Sequence, residues 1–172
     1  VAEYIAECSR LGIEVVPPHV NVSSERFTPK DGKIYFGLLA VRNVGAGFIR
    51  EIERGRETGG EFKSFYSFCK RMQDKEFNKR AVESLIKCGA LDGLGANRRQ
   101  MLYAFPEISA QLENDRRRNI DGQLGFFDAA PSEAPQGEYK MPTLEEMDKR
   151  ELLRLEKEMT GLYLMGHPMA EY

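Results

Sequence analysis

A mainly α-helical fold carrying one small β hairpin is predicted by three features of the 172-residue sequence. Apolar residues recur every three or four positions through most of residues 38–118 and again over 144–162, the period of helices that bury one face. Two short runs flank Pro29-Lys30-Asp31-Gly32, whose proline and Asp-Gly pair supply turn geometry. Residues 119–143 hold three prolines, three glycines and few periodic positions, which is linker composition.

The elements follow in order. Ile5, Cys8 and Leu11 share one helical face between Glu3 and Leu11, and Gly12 can take the left-handed conformation that stops a helix. Ile13 to Val16 reads as extended, and Pro17-Pro18 excludes helix and leads into a loop around Asn21. Phe27-Thr28 and Ile34-Tyr35-Phe36 form the hairpin. From Leu38 the period lengthens: Leu38, Val41 and Val44 precede the glycines Gly45 and Gly47, and Phe48, Ile49 and Ile52 follow them, predicting two short helices joined by a tight turn. Phe65, Phe68 and Met72 mark a third helix, and Val82, Leu85 and Ile86 a fourth that starts at Lys79 and ends at Gly89. Asn97 caps a fifth, carried by Met101 and Leu102, whose extent beyond Pro106 stays open. Thr143 and Glu146 have capping-box spacing, and Leu144, Met147, Leu152, Leu155, Met159 and Leu162 then trace an acidic amphipathic helix toward Gly161.

Composition excludes several function classes. An apolar fraction of 41% supports a core, yet the longest apolar stretch, Ile34 to Val41, falls far short of a membrane span. The first residues lack the layout of a secretory signal, so a cytoplasmic location and no membrane partner are expected. Cys8, Cys69 and Cys88 are too few and too scattered for a disulfide framework or a zinc knuckle and read as buried free thiols. His19 and His167 lie beside prolines without partners at metal-ligand spacing, so no metal site is expected. Glu145, Glu146 and Asp148 sit where acids favour a helix dipole. The net charge of −2 is unevenly spread, at −1 over residues 1–41, +5 over 42–118 and −6 over 119–172. A polyanion would therefore meet the middle.

The chemistry lies in Val44-Gly45-Ala46-Gly47. A phosphate oxygen needs converging donors, and the unpaired N–H groups at a helix start provide them. Gly45 and Gly47 bracket the turn and let backbone approach closely, Ala46 lies between them, Val44 plugs the hairpin into the core, and Arg42, Arg50 and Arg54 supply charge. The same turn would also serve simply to connect two packed helices. A second, looser instance runs from Cys88 through Gly93 and Gly95 to Asn97, Arg98 and Arg99. Two such hairpins with a connector helix resemble the tandem helix-hairpin-helix domain, which grips the two strands across a minor groove. Contacts of this kind read the backbone and not the base edges. Arg116-Arg117-Arg118 reads equally as a phosphate contact or as a solvated helix end.

A wider resemblance covers nearly the whole chain. Tyr4-Ile5-Ala6-Glu7-Cys8, Pro17-Pro18-His19-Val20-Asn21, Phe36 to Val41 entering the first hairpin, Asn78-Lys79-Arg80, Leu85 to Asp92 and Gly161 to Pro168 are, in this order, similar to the C-family replicative polymerases, the bacterial DNA polymerase III alpha subunits. The resemblance implies that 1–36 is the end of the fingers with the β hairpin, 37–118 the tandem hairpin domain, 119–143 a linker, and 144–172 a helix leading to an OB-fold beyond this sequence. It further implies that Gln123-Leu124-Gly125-Phe126-Phe127 is a sliding-clamp peptide, with Leu124, Phe126 and Phe127 as anchors and Gln123 hydrogen-bonding at the rim. Read without the family, these apolar residues would fold back on their own domain. Implied partners are primer-template duplex DNA, the sliding clamp and other replicase subunits. No catalytic carboxylates or cofactor are expected in this stretch, and the magnesium ions of DNA-directed DNA synthesis belong to the parent's palm. The alternatives are a hairpin scaffold of a repair protein or nuclease without clamp binding, and a structural protein-interaction domain.

Overall fold

With Ile5 and Cys8 on one side, the first helix, α1, runs Ala2–Arg10 and stops at Gly12, whose φ of 75° is the left-handed turn expected there. The computed structural model describes residues 2–73, 78–122 and 139–164. Strands β1 (Glu14–Val16), β2 (Thr28–Lys30) and β3 (Lys33–Tyr35) follow. β2 and β3 form the predicted hairpin, but its turn contracts to Asp31-Gly32, with φ of 53° and 75°. Two positive φ values match the right-handed strand twist, which Asp-Gly tolerates. Pro29 and Lys30 belong instead to the strand, where proline is accepted because β2 is an edge. Local sequence does not express that β1 adds in parallel on the other side of β3, Val15 opposite Ile34, giving a three-stranded sheet of order β1-β3-β2.

The helical body begins with a single 3-10 turn, Leu38–Ala40, and not with the helix expected before the first hairpin. Val41 returns to extended backbone, so Leu38, Val41 and Val44 reach the core from an irregular segment. Helices α2 (Ala46–Gly59), α3 (Phe65–Met72), α4 (Lys79–Cys88), α5 (Arg98–Gly122) and α6 (Lys149–Thr160) complete the described elements. Phe48, Ile49 and Ile52 of α2, Phe65, Phe68 and Met72 of α3, Val82, Leu85 and Ile86 of α4, and Met101, Phe105 and Ile108 of α5 close one core. Burying such a side chain contributes about 1.5–3 kcal/mol each. Phe62 and Phe68 meet edge to face at 4.9 Å, the arrangement aromatic quadrupoles prefer.

α5 passes through Pro106 and ends at Gly122, beyond residue 118. The capping box expected at Thr143 and Glu146 does not form: the chain is irregular there and α6 starts at Lys149 with Asp148 as its cap, its Oδ1 accepting from the Glu151 N–H at 2.9 Å. Glu146 is engaged elsewhere. Leu153, Leu155 and Met159 are the buried face of α6, which packs on α4.

Candidate nucleic-acid interface

The first hairpin is built around Val44, which is 5% exposed and anchors the loop in the core. The residue that makes the turn is Asn43, with φ of 66° and its Nδ2 donating to Ser84 Oγ on α4 at 3.2 Å. Gly45 and Gly47 therefore do not bracket the turn: Gly45 is the N-cap of α2 in extended backbone, and Ala46 and Gly47 are already helical. The first intrahelical bond runs from Ile49 N–H to Gly45 C=O at 3.1 Å, so the amides before it need partners from outside the helix. The N-cap residue of α2 offers no side-chain bond to them. By contrast, Ser64 caps α3, Asn78 caps α4 and Asp148 caps α6. Gly45 is exposed, and a Cβ built on it meets nothing within 4 Å. α2 thus presents an open, positively polarised helix start to solvent. Arg42, three residues before Gly45, and Arg50, within α2, are exposed, and Arg54, also exposed, pairs with Glu51 at 3.5 Å.

The second hairpin departs from expectation. Gly93 and Gly95 are exposed turn residues with φ of 81° and 83°. Arg98, read from the sequence as a phosphate donor, is 1% exposed: Nε and Nη2 donate to Asp92 at 3.1 and 2.9 Å, and Nη1 donates to the Lys87 carbonyl at 3.3 Å. Burial disfavours the charged guanidinium, yet Asp92, together with Cys88 and Glu156, more than offsets it and the pKa rises. Gly89 is required beside it, because a Cβ there would collide with the guanidinium and the backbone is left-handed. Arg98 is thus an internal clip that closes the hairpin loop onto α4.

The start of α5 is also filled. Asn97 and Gln100 exchange backbone-to-side-chain bonds at 2.8 Å each, and the Glu146 carboxylate accepts from the Arg98 N–H at 3.0 Å and the Arg99 N–H at 3.3 Å. Asn97 Nδ2 donates to Leu144 C=O and Gln100 Nε2 to Pro142 C=O, both at 2.8 Å. The donors that Asn97 was expected to offer are spent within the protein. This hairpin turns to solvent Arg99, whose side chain is exposed and reaches Glu145 C=O at 3.5 Å, and the glycines Gly93 and Gly95, while Leu94 between them is buried.

The basic middle is likewise less outward-facing than its net charge implies. Arg56 donates to Val20 and Ser23 carbonyls at 2.7 Å each, and burial lowers its pKa. Arg71 lies over the Phe62 ring at 4.2 Å and donates to Gly60 C=O at 2.9 Å. Arg116, Arg117 and Arg118 are exposed on α5, Arg117 pairing with Glu113 at 3.0 Å. His19 is structural: Nε2 lies 2.7 Å from Asp92 O, and Nδ1 accepts from the Asn21 N–H at 3.1 Å. Of the cysteines, Cys69 and Cys88 are buried as expected, whereas Cys8 is half-buried on α1. Among the described residues no helix is long and apolar enough to cross a membrane. Gln123, Leu124, Phe126, Phe127 and His167 lie outside the described residues.

Comparison with known proteins agrees with this architecture. The model of the helix-hairpin-helix motif family matches residues 12–101. The chain is 41% identical over 175 residues to the DNA polymerase III subunit alpha of Thermus aquaticus, an alignment covering 100% of this chain and 14% of that protein. The corresponding subunits of Vibrio cholerae and Escherichia coli are 35% and 31% identical over 173 residues, each covering 100% of this chain and 15% of theirs. The chain thus spans about one-seventh of the length of the curated relatives it matches. With an open helix start behind Asn43 and a second glycine turn between α4 and α5, it belongs to the helix-hairpin-helix motif family and matches the DNA polymerase III alpha subunits of many bacteria along its whole length.

Proposed function

We propose that this chain holds the duplex of a replicative DNA-directed DNA polymerase by its phosphate backbone, without reading base sequence. The observation that carries the reading is the uncapped start of α2, where amides from Gly45 to Phe48 precede the first helical bond. A phosphate oxygen supplies the acceptor they lack, in a site where Arg42 and Arg50 add charge. The second hairpin contributes more weakly, through Arg99 and the exposed glycines Gly93 and Gly95, because Glu146 occupies the helix start. Nucleotidyl transfer on magnesium is assigned to carboxylates outside this stretch, and the contribution here is processivity.

Titrating labelled duplexes of two unrelated sequences by fluorescence anisotropy across a salt series tests the reading. Equal affinities are expected, with a log–log slope of about −0.9 for each phosphate engaged. A marked sequence preference or a flat salt response would overturn it. We further propose that Gln123, Leu124, Phe126 and Phe127 dock on the sliding clamp, with other replicase subunits nearby. Phe126→Ala with Phe127→Ala should abolish capture by immobilised clamp, and retained capture removes the tether while leaving the duplex reading intact.

A further inference from the structure

Charge summed by segment conceals the character of α6. The acidic total over 119–172 comes largely from residues outside the helix, such as Glu145, Glu146 and Asp148. Within Lys149–Thr160 the cations Lys149, Arg150, Arg154 and Lys157 face the carboxylates Glu151, Glu156 and Glu158, and Glu156 is wholly buried. The outward charge of this helix is therefore positive. Its position matters as much as its sign, because the Arg42 N–H donates to Met159 C=O at 2.8 Å and joins the end of α6 to the first hairpin.

Arg42, Arg154, Lys157 and Tyr163, with Glu158, line an open cleft of about 480 Å³ directly beside that hairpin. The Lys157 ammonium stands 4.7 Å over the Tyr163 ring, which steadies a flexible cation without neutralising it. Arg154 lies between two carboxylates, bonded to Glu151 and 3.9 Å from Glu158. Both pairs are exposed, so each holds Arg154 only weakly against a competing anion. We propose that this cleft is a second phosphate subsite: the strand whose phosphate sits on the start of α2 continues past Arg42 onto α6, where Lys157 and Arg154 engage further phosphates and Glu158 is the counter-charge they displace. The inference rests on the reading that the α2 start holds phosphate, and it adds a helix that the hairpin family model, ending at residue 101, does not include.

Anisotropy on a mixed-sequence duplex, using the full chain, tests it. Lys157→Ala and Arg154→Ala should each reduce the log–log salt slope by about 0.9 for every phosphate that is no longer engaged, which at 0.1 M salt corresponds to roughly eightfold weaker binding. Lys157→Arg should retain the wild-type slope, and Glu158→Gln should tighten binding. Lys63→Ala, beyond the far end of α2, serves as the charge-matched control and should change neither quantity; unchanged thermal melting verifies that all variants fold. If Lys157→Ala and Arg154→Ala keep the wild-type slope while Gly45→Asp still loses duplex binding, the α6 subsite is overturned and the hairpin reading stands. An equal loss with Lys63→Ala assigns the effect to net charge and also overturns the subsite. Absence of duplex binding in the wild type overturns both.

Discussion

Replacing Gly45 by aspartate should move stability and DNA binding in opposite directions. Gly45 is the N-cap of α2 with φ −93° and ψ 162°, backbone that any residue adopts, and there is open space where the side chain would emerge. Aspartate is a preferred N-cap, better than glycine by a few tenths of a kcal/mol, and its charge at the helix start adds about 0.3–1 kcal/mol. The variant should therefore be more stable by about 0.5–1 kcal/mol, read as a higher urea midpoint with unchanged slope. The same carboxylate occupies the amides proposed for phosphate. A like charge about 4 Å from a phosphate costs about 1 kcal/mol in bulk water and about 4 kcal/mol at an effective dielectric of 20. Duplex affinity should fall between roughly fivefold and several hundredfold. Because the fold is strengthened, the loss cannot be ascribed to unfolding. Wild-type affinity in a stabilised variant would refute the phosphate seat, and a lowered midpoint would refute the capping geometry.

Three further outcomes follow from the packing. Arg98→Met should destabilise the chain by about 2–3 kcal/mol, below the usual cost of breaking a buried pair because the Asp92 side chain is 44% exposed; an unchanged urea midpoint would show that the clip holds nothing. In native protein a thiol reagent at neutral pH should modify Cys8 and spare Cys69 and Cys88 until denaturant is added, since burial pushes the Cys88 thiol up to about 12 and Cys69 higher still. Rapid native labelling of all three would contradict this. The Tyr139 phenol, bonded to the Glu107 carboxylate at 2.7 Å, is pushed up to about 12 chiefly by that bond. The folded value exceeds the ordinary one near 10, so the contact's contribution is complete below about pH 10 and is lost as pH rises through about 12. Ultraviolet titration should show the late phenolate, and Glu107→Gln should bring it back toward pH 10; identical curves would exclude the contact.

What is legible of the site in the sequence, and what is not, can be traced to single residues. Val44 is legible as an anchor because apolar spacing survives even where the helix does not: Leu38, Val41 and Val44 are all buried, although only Leu38 to Ala40 make a helical turn. Asn43 is not legible, because a left-handed asparagine carries no signal beside two glycines, which draw attention to themselves for the same conformational reason. Arg98 follows Asn97 at a helix start and looks like a donor to solvent. Its burial depends on Asp92 across the loop and on the space left by Gly89, neither of which local spacing expresses.

By itself the sequence determined the helical class, a hairpin between Phe27-Thr28 and Ile34-Tyr35-Phe36, the capping asparagine Asn97, and the glycine stops at Gly12, Gly89 and Gly161, since these depend on backbone preference and periodicity within a few residues. It also carried the likeness to the polymerase subunits. The tertiary structure decided which helix start is open. Glu146 lies 48 positions beyond Arg98 and closes α5, while the N-cap of α2 is a glycine with no side chain to give. It likewise brought Arg154 and Lys157 beside Arg42 from a segment whose summed charge is acidic. Hydrogen-bond saturation and surface charge belong to neighbours in space, and chain order does not state which neighbours those are.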